Sequence, residues 1–319
     1  MPPEVVFLDL PQLRDAQVPH HPLIAARADP WPGELAVWRS PEASGFSLLT
    51  SFTGRASLGR LVADLYSGPG SRFDHGNSVY VEIAGTPLQS VSDLQLFAGE
   101  NALAIAQPGG GWEVLQFGEA TLLAPGKYRL SRLLRGQRGT EGDMAPVVAE
   151  GARVVLLDET LAPLPVEMAD LGLPAHWRVG PAIRPVTDDS YAEQVLAPEG
   201  VGLRPFAPVH VAQPWRQGRV PGDFTIRWTR RDRSLTADSW GPGEVPMSEG
   251  LEVWLVEIMD GAAVKRSLTT AAPSALYSTA DQSADWGAPL GSGDHLEIRI
   301  AQIGQATGAG RAAITTLWF

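Results

Sequence analysis

The side chains best able to do chemistry in this sequence are few and scattered. Six histidines occur, His20, His21, His75, His176, His210 and His295, and none stands two or four residues from another. No His-Glu-x-x-His string occurs either, so the spacing that would put metal ligands on one face is missing. His20-His21 lies between Pro19 and Pro22 and reads as a solvated loop. Asp74-His75 suggests an acid–base pair, but adjacency in sequence sets no geometry, and a hydrogen-bonded loop accounts for it equally. Asp188-Asp189 and the Glu141/Asp143 pair are the carboxylates to test for glycoside hydrolysis. Both sit among Pro and Gly, where Asp serves turns. There is no Gly-x-Ser-x-Gly elbow, and Ala124-Pro125-Gly126-Lys127 lacks the glycines of a phosphate loop. With no cysteine there is no thiolate nucleophile and no disulfide. The expectation is therefore a protein that is not an enzyme, with no catalytic, metal or cofactor-binding residue and no cofactor.

Arginine and tryptophan offer recognition chemistry instead. Arg135-Gly136-Gln137-Arg138-Gly139-Thr140 follows an apolar run, and its two glycines permit positive φ in a tight or bulged turn. Arg135 and Arg138, held by Gly136 and Gly139, are candidates to clamp carboxylates or carbonyls across a subunit interface; the plainer reading is two exposed turn arginines. Arg227, Arg230, Arg231 and Arg233 form a basic cluster, read either as a charged edge against aggregation or as a patch for anionic glycans. Of ten tryptophans, Trp31, Trp215, Trp240 and Trp286 fall in Pro/Gly-rich stretches, where an indole can stack on a sugar or a partner or simply anchor its loop. Trp240 and Trp286 join the arginine cluster as candidate surface-binding residues.

The elements that must carry these residues are mostly strands. Val79, Val81 and Ile83 alternate with Tyr80 and Glu82, a half-buried strand. Short runs follow at 102–106, 112–117, 120–123, 128–134 and 153–157, separated by Gly- and Pro-rich turns. Residues 34–39 make an earlier strand, and the Pro-rich segments at 19–22 and 29–33, within a Pro- and Trp-rich stretch from 1 to about 45, read as extended arms or loops. Leu58, Leu61, Val62 and Leu65, at spacings of three and four, predict one short helix over 56–66. After a second Pro-rich passage at about 200–222, Phe224, Ile226 and Trp228 alternate with polar residues. Further strands are expected at 251–258, 274–278, around Leu296–Ile300 and from Ala312 to the end. About seven short strands in roughly 100 residues, with no cysteine, predict a fibronectin type III-like β-sandwich. The fold expected is all-β: a sandwich- or barrel-like N-terminal region with one short helix, then that sandwich. The domains expected are an extended or mixed segment 1–77 packing on the next domain, a β-rich domain 78–206, and the sandwich 207–319.

Composition agrees with frequent turns. Glycine (34) and proline (27) make up about a fifth of the 319 residues without any collagen-like period. The formal net charge of −11 opposes binding of nucleic acid or anionic lipid by the molecule as a whole. No stretch approaches the length of an apolar transmembrane helix and no signal peptide is visible, so neither membrane insertion nor a leader is expected.

Two stretches carry a family resemblance. One runs from Trp112-Glu113-Val114-Leu115-Gln116-Phe117 to Leu133-Leu134-Arg135-Gly136-Gln137-Arg138-Gly139-Thr140-Glu141, and the other is Pro2-Pro3-Glu4-Val5-Val6-Phe7-Leu8-Asp9-Leu10-Pro11. Both resemble the C-terminal region of the tail-tip host-specificity (tail hub, baseplate) protein of gene transfer agents and siphophages. The Leu-Leu-Arg-Gly-x-x-Gly-Thr string is the most specific element, and the likeness extends from Pro2 to about Asp158. It implies a structural and adhesive component of the distal tail, made in the bacterial cytoplasm and located in the virion. Implied partners are other tail or baseplate proteins, further copies in a homotrimer, and a glycan or protein receptor on the host envelope. The glycosidase-like barrel and main hub domains that precede this region in large members are not in this sequence. The competing expectation is a carbohydrate-active enzyme, or its carbohydrate-binding accessory module, acting on host polysaccharide.

Overall fold

Alternation with period two sends Val79, Val81 and Ile83 of the strand Val79–Ala84 to one side, and in the folded chain all three line the inside of a barrel. The computed structural model describes residues 1–212, 221–234 and 245–319. The protein is all-β, with two compact units, Met1–Gly202 and Leu203–Phe319.

In the first unit six antiparallel strands close on themselves in the order Lys127–Leu134, Val79–Ala84, Leu58–Leu61, Arg153–Leu156, Ala102–Ala106, Trp112–Ala124. Closure removes the unpaired edges that an open sheet of this size would present. The interior holds Leu61, Leu103, Ile105, Leu115, Phe117, Leu130 and Val154 besides the three residues of the first-named strand. Leu58–Leu61 comes from the expected segment 1–77 and pairs with both Val79–Ala84 and Arg153–Leu156.

Outside the barrel lies a three-stranded sheet of Glu4–Leu8, Leu23–Arg27 and Ala162–Pro163. One of its faces, with Val6, Leu8, Leu23 and Ala25, packs on the barrel's outer residues Leu58, Ala104, Val114 and Val155. The other, with Val5, Ile24 and Ala26, packs on a four-stranded sheet ordered Ala192–Leu196, Ala175–Pro181, Leu35–Ser40, Ser47–Phe52. The middle sheet is thus buried on both faces. That is why its strands read as unbroken apolar runs, without the alternation that marks a half-exposed strand.

Double-sided burial also overturns the helix expected over 56–66. Those residues form the strands Leu58–Leu61 and Leu65–Tyr66. Leu58 faces outward into the middle sheet while Leu61 faces into the barrel. Apolar residues three apart lie on opposite faces of a strand, and where both faces are covered the spacing imitates a helix. Gly59 is required at this stave, because a Cβ there would stand 2.3 Å from the Glu82 carbonyl oxygen. Among the described residues the short α-helices are instead Asp93–Phe97, capped by Ser92 with Gln95 in a capping box, and Thr279–Trp286, capped by Ser278.

The second unit packs a three-stranded sheet (Val209–Ala212, Phe224–Thr229, Ser274–Tyr277) on a four-stranded one ordered Ala263–Thr270, Trp254–Asp260, His295–Gly304, Gly308–Trp318. In chain order, strands one, two and five form one sheet and four, three, six and seven the other, which is the fibronectin type III-like arrangement. Phe224, Ile226 and Trp228 from one sheet meet Trp254, Val256, Ile298 and Ile300 from the other. No helix of the described residues is long and apolar enough to cross a membrane.

Asp9 links the two ends of the first unit. Its carboxylate accepts hydrogen bonds from the backbone N–H groups of Glu199 (2.6 Å), Gly200 (3.0 Å) and Val201 (2.9 Å). Replacing it with Ala leaves three donors without that acceptor. We expect Asp9→Ala to cost about 1–3 kcal/mol, read by calorimetry as a lower transition for the first unit alone, with faster amide exchange at 199–201.

Candidate functional site

The most specific string in the sequence is wound into the barrel. The strand Lys127–Leu134 delivers Arg135 inward, where only 1% of its surface is exposed. Opposite it Glu113, the second residue of the strand Trp112–Ala124, is fully buried. Arg135 Nε lies 2.5 Å from Glu113 Oε1 and Nη2 2.8 Å from Oε2, a bidentate pair. Nη1 donates to the Tyr66 carbonyl (2.9 Å) and approaches Asp74 Oδ2 (3.4 Å). Asp74 is held in turn by the backbone N–H groups of Gly76 and Asn77, both at 3.0 Å, and by the Asn77 side chain at 2.7 Å. Isolated charges here would be prohibitively costly; a fork between two carboxylates with every oxygen engaged is the form in which such charges survive burial.

The residues after Arg135 serve the same junction. Gly136 takes φ 57° and its N–H points at Glu113 Oε1 (3.3 Å), while a Cβ there would stand 2.7 Å from Glu141 Cα. Gly139 follows at φ 81°. Buried Thr140 accepts from the Val114 N–H (3.0 Å) and donates to the Gln137 carbonyl (2.8 Å), clasping the residue beside Glu113. The glycines therefore bend the chain as expected, but for Arg135 the interface role is corrected. Arg135 is neither an exposed turn residue nor available to another subunit, because its donors are used within its own chain. Arg138, half-buried, likewise donates to the Gln12 carbonyl of the same chain at 2.9 Å.

Electrostatics follow the geometry. Burial raises the Asp74 carboxyl, but the hydrogen bonds from Asn77 and Gly76 and the Arg135 guanidinium outweigh it and leave it below the ordinary carboxylate value. Burial also works against the Arg135 cation, and Glu113 and Asp74 more than restore it, so the guanidinium is held more strongly protonated than usual. A cation this firmly protonated does not exchange protons with its partners. What the cluster does is hold two strands and the segment at Asp74 in one geometry.

The basic cluster of the second unit is largely committed as well. Arg230 lies 3.0 Å from Glu252 and also bonds the Val245 carbonyl, Arg233 lies 2.9 Å from Glu249, and Arg231 sits over the Phe206 ring at 5.2 Å. Arg227 is exposed on the outer face of Phe224–Thr229, between buried Ile226 and Trp228, as its alternation predicted. Trp286 is corrected from a surface-binding residue to an anchor. It packs on the sandwich core, donates from Nε1 to the Tyr277 hydroxyl (2.8 Å) and carries Lys265 over its ring. The Tyr277 hydroxyl donates to Asp285 (2.7 Å), which Arg266 grips at 2.7 and 2.9 Å. Burial, and then Asp285, push the Tyr277 hydroxyl pKa up. Trp31 donates to the Gly33 carbonyl and leans on the core of the first unit. Trp240 and Trp215 lie outside the described residues.

Glu113 was not singled out by type or spacing, and Asp74 was noted only beside His75, as an acid–base pair or a hydrogen-bonded loop. The signal that could have found Glu113 is a lone carboxylate in an apolar strand, directly before Val114-Leu115. Among the described residues, no group of three His, Asp or Glu side chains is placed to hold a metal ion.

With the fold and this junction in view, the likenesses to known proteins are informative in one place. The chain is an all-β protein built of a closed barrel and a fibronectin type III-like sandwich. Residues 56–155 match the family model described as Rcc01698-like, C-terminal. The match begins two residues before the barrel's first strand and ends one residue before the end of its last strand, so it coincides with the barrel and contains Asp74, Glu113 and Arg135. No curated protein matches the chain. Among solved structures, domains d3–d4 of the rat CD45 extracellular region align at 8% identity and a TM-score of 0.24, covering 44% of this chain and 62% of that one. Domains A168–A170 of titin align at 9% identity and a TM-score of 0.22, covering 98% and 88%. At such scores neither bears on fold or function.

Removing one partner of the cluster strands the others. Arg135→Met should destabilise the first unit by about 3–5 kcal/mol, measured by calorimetry of the full chain, with the second unit's transition unmoved. Replacing Arg135 and Glu113 together by apolar residues should recover part of that loss. The acid response has a definite sign. A carboxyl depressed in the folded state contributes stability above its unfolded value, near 3.8 for Asp74, and loses it as pH falls through the lower folded value. Asp74→Asn should therefore shrink the stability lost by the first unit below pH 3.8 in acid titrations followed by tryptophan fluorescence.

Proposed function

We propose that this protein is a structural and adhesive component of a phage-type or gene-transfer-agent tail tip, contributing to tail assembly and to attachment at the host envelope. The observation that carries the reading is that the Leu-Leu-Arg-Gly-x-x-Gly-Thr string, the most specific element of the resemblance, is the segment that locks the barrel, and that residues 56–155 match the Rcc01698-like, C-terminal model over the same barrel. A mechanical role suits what the cluster offers: charged groups saturated by one another, rigid and shielded. In this reading the barrel unit is the part built into the tail beside other tail proteins. The sandwich is the attachment module, its surface carrying Arg227. The activity is contact and load-bearing, and no cofactor enters it.

The test is immunogold electron microscopy, with antibody against this chain, on particles released by the source cell. Label confined to the distal end of the tail is the expected result. Intact particles without label, from cells in which the protein is readily detected, would overturn the proposal.

A further inference from the structure

Pro19-His20-His21-Pro22 reads as a solvated loop in the sequence, but in the folded chain both imidazoles are half-buried. Their rings meet edge to face, with centroids 4.6 Å apart and an interplanar angle of 77°. The turn that brings them together is closed by the His21 N–H, which donates to the Val18 carbonyl at 3.0 Å. Prolines on both sides fix φ, and the carbonyl of buried Pro22 accepts from the Leu164 N–H at 2.8 Å. On the other side the Pro19 carbonyl oxygen sits against Gly202, where a Cβ would stand only 2.1 Å from it. Gly202 is buried and is the last residue of the first unit. The three residues before it are the ones whose N–H groups the Asp9 carboxylate holds. The turn is thus wedged between the segment at Leu164 and the end of the unit, with little room for its two rings to move apart.

Histidine is the side chain whose charge ordinarily changes in the range around neutrality. Two neutral rings in this arrangement attract, whereas two imidazolium rings repel. We propose that the His20–His21 pair is a proton-operated latch: while the pair carries at most one proton the turn seats against Gly202 and fixes the end of the first unit, and the second proton drives the turn away and loosens residues 199–202. The charged groups around the pair come from each side of the wedge. They are Glu167, which caps the 3-10 turn Met168–Asp170, and, on the side of Gly202, Glu199 and Asp9. Burial and then His20 hold the His21 imidazole below its ordinary value, and Glu167 opposes them without reversing the sign. A base depressed in the folded state contributes stability that is fully present above its unfolded value, here 6.5, and is lost as pH falls through the lower folded value. The latch is therefore closed at neutral pH and opens on mild acidification, above the ordinary range of carboxylate titration. It is independent of where the protein works.

The experiment is NMR of the full chain from about pH 8 down to about pH 5. It follows the His20 and His21 imidazoles and, in the same samples, exchange of the 199–201 amides corrected for its intrinsic pH dependence. In the wild-type chain His21 should titrate below 6.5, and protection at 199–201 should fall in step with it. His20→Gln should move the His21 titration up toward 6.5, and both it and His21→Gln should remove the loss of protection. His176→Gln, at a half-buried histidine elsewhere in the first unit, should leave the response as in wild type. Calorimetry at neutral pH confirms that the variants fold, and if one does not, the two wild-type readings still decide. His21 titrating at or above 6.5, or protection at 199–201 that ignores pH over this range, overturns the proposal. A loss of protection that persists in both His20→Gln and His21→Gln overturns it too, since another group then drives the change.

Discussion

A guanidinium with 1% of its surface exposed, gripped on one side by Glu113 and approached on the other by Asp74, is the constraint around which the first unit is arranged. The fork reaches three separate parts of the chain. Arg135 leaves one barrel strand, Glu113 stands in the neighbouring one, and Asp74 and the Tyr66 carbonyl come from the segment between the third and second staves. Each carboxylate oxygen has a defined donor, so the cluster tolerates one arrangement of these segments. Burial of apolar side chains rewards any compact barrel, but it does not discriminate finely between registers. A charged network does, because a slip by one residue would strand a full charge in the interior.

The turn after Arg135 shows how backbone chemistry serves that charge. Two glycines at positive φ reverse the chain within a few residues, so that Thr140 can return to the strand bearing Glu113. A side chain at Gly136 would collide with Glu141, which makes the glycine a requirement of close approach as much as of conformation. The same logic of saturation recurs in the second unit, where Arg266, Asp285, Tyr277 and Trp286 tie one sheet of the sandwich to the other through the helix Thr279–Trp286. Among the described residues, the arginines and tryptophans most suggestive of outward recognition turn out, Arg227 excepted, to be engaged within the fold.

Much of the secondary structure was legible because half-exposed strands announce themselves. Val79–Ala84, Phe224–Thr229 and the Leu296–Ile300 stretch alternate as a strand with one wet face must. The strands that escaped notice, Glu4–Leu8 and Leu23–Arg27, and the one mistaken for a helix, Leu58–Leu61, share a single cause. All three are covered on both faces, by the barrel and the sheets stacked on it, and double burial erases the period by which a strand is recognised. The composition of a segment cannot tell how many of its faces will be covered, since that depends on partners far away in the chain.

By itself the sequence determined the all-β class, the sandwich of the second unit, and the positive-φ turn at Gly136 and Gly139. Each of these follows from local steric and hydrophobic rules acting within a few residues. Only the tertiary structure decided that the first unit closes into a barrel, and that Arg135 belongs to its interior instead of a subunit boundary. An arginine after a strand is equally compatible with solvent, a partner or the core. What settles it is the presence of Glu113, 22 residues away in sequence, at bidentate distance in a place water does not reach. Electrostatic partnership across such separations is a property of how the chain is folded back on itself, and no local pattern of residue types encodes it.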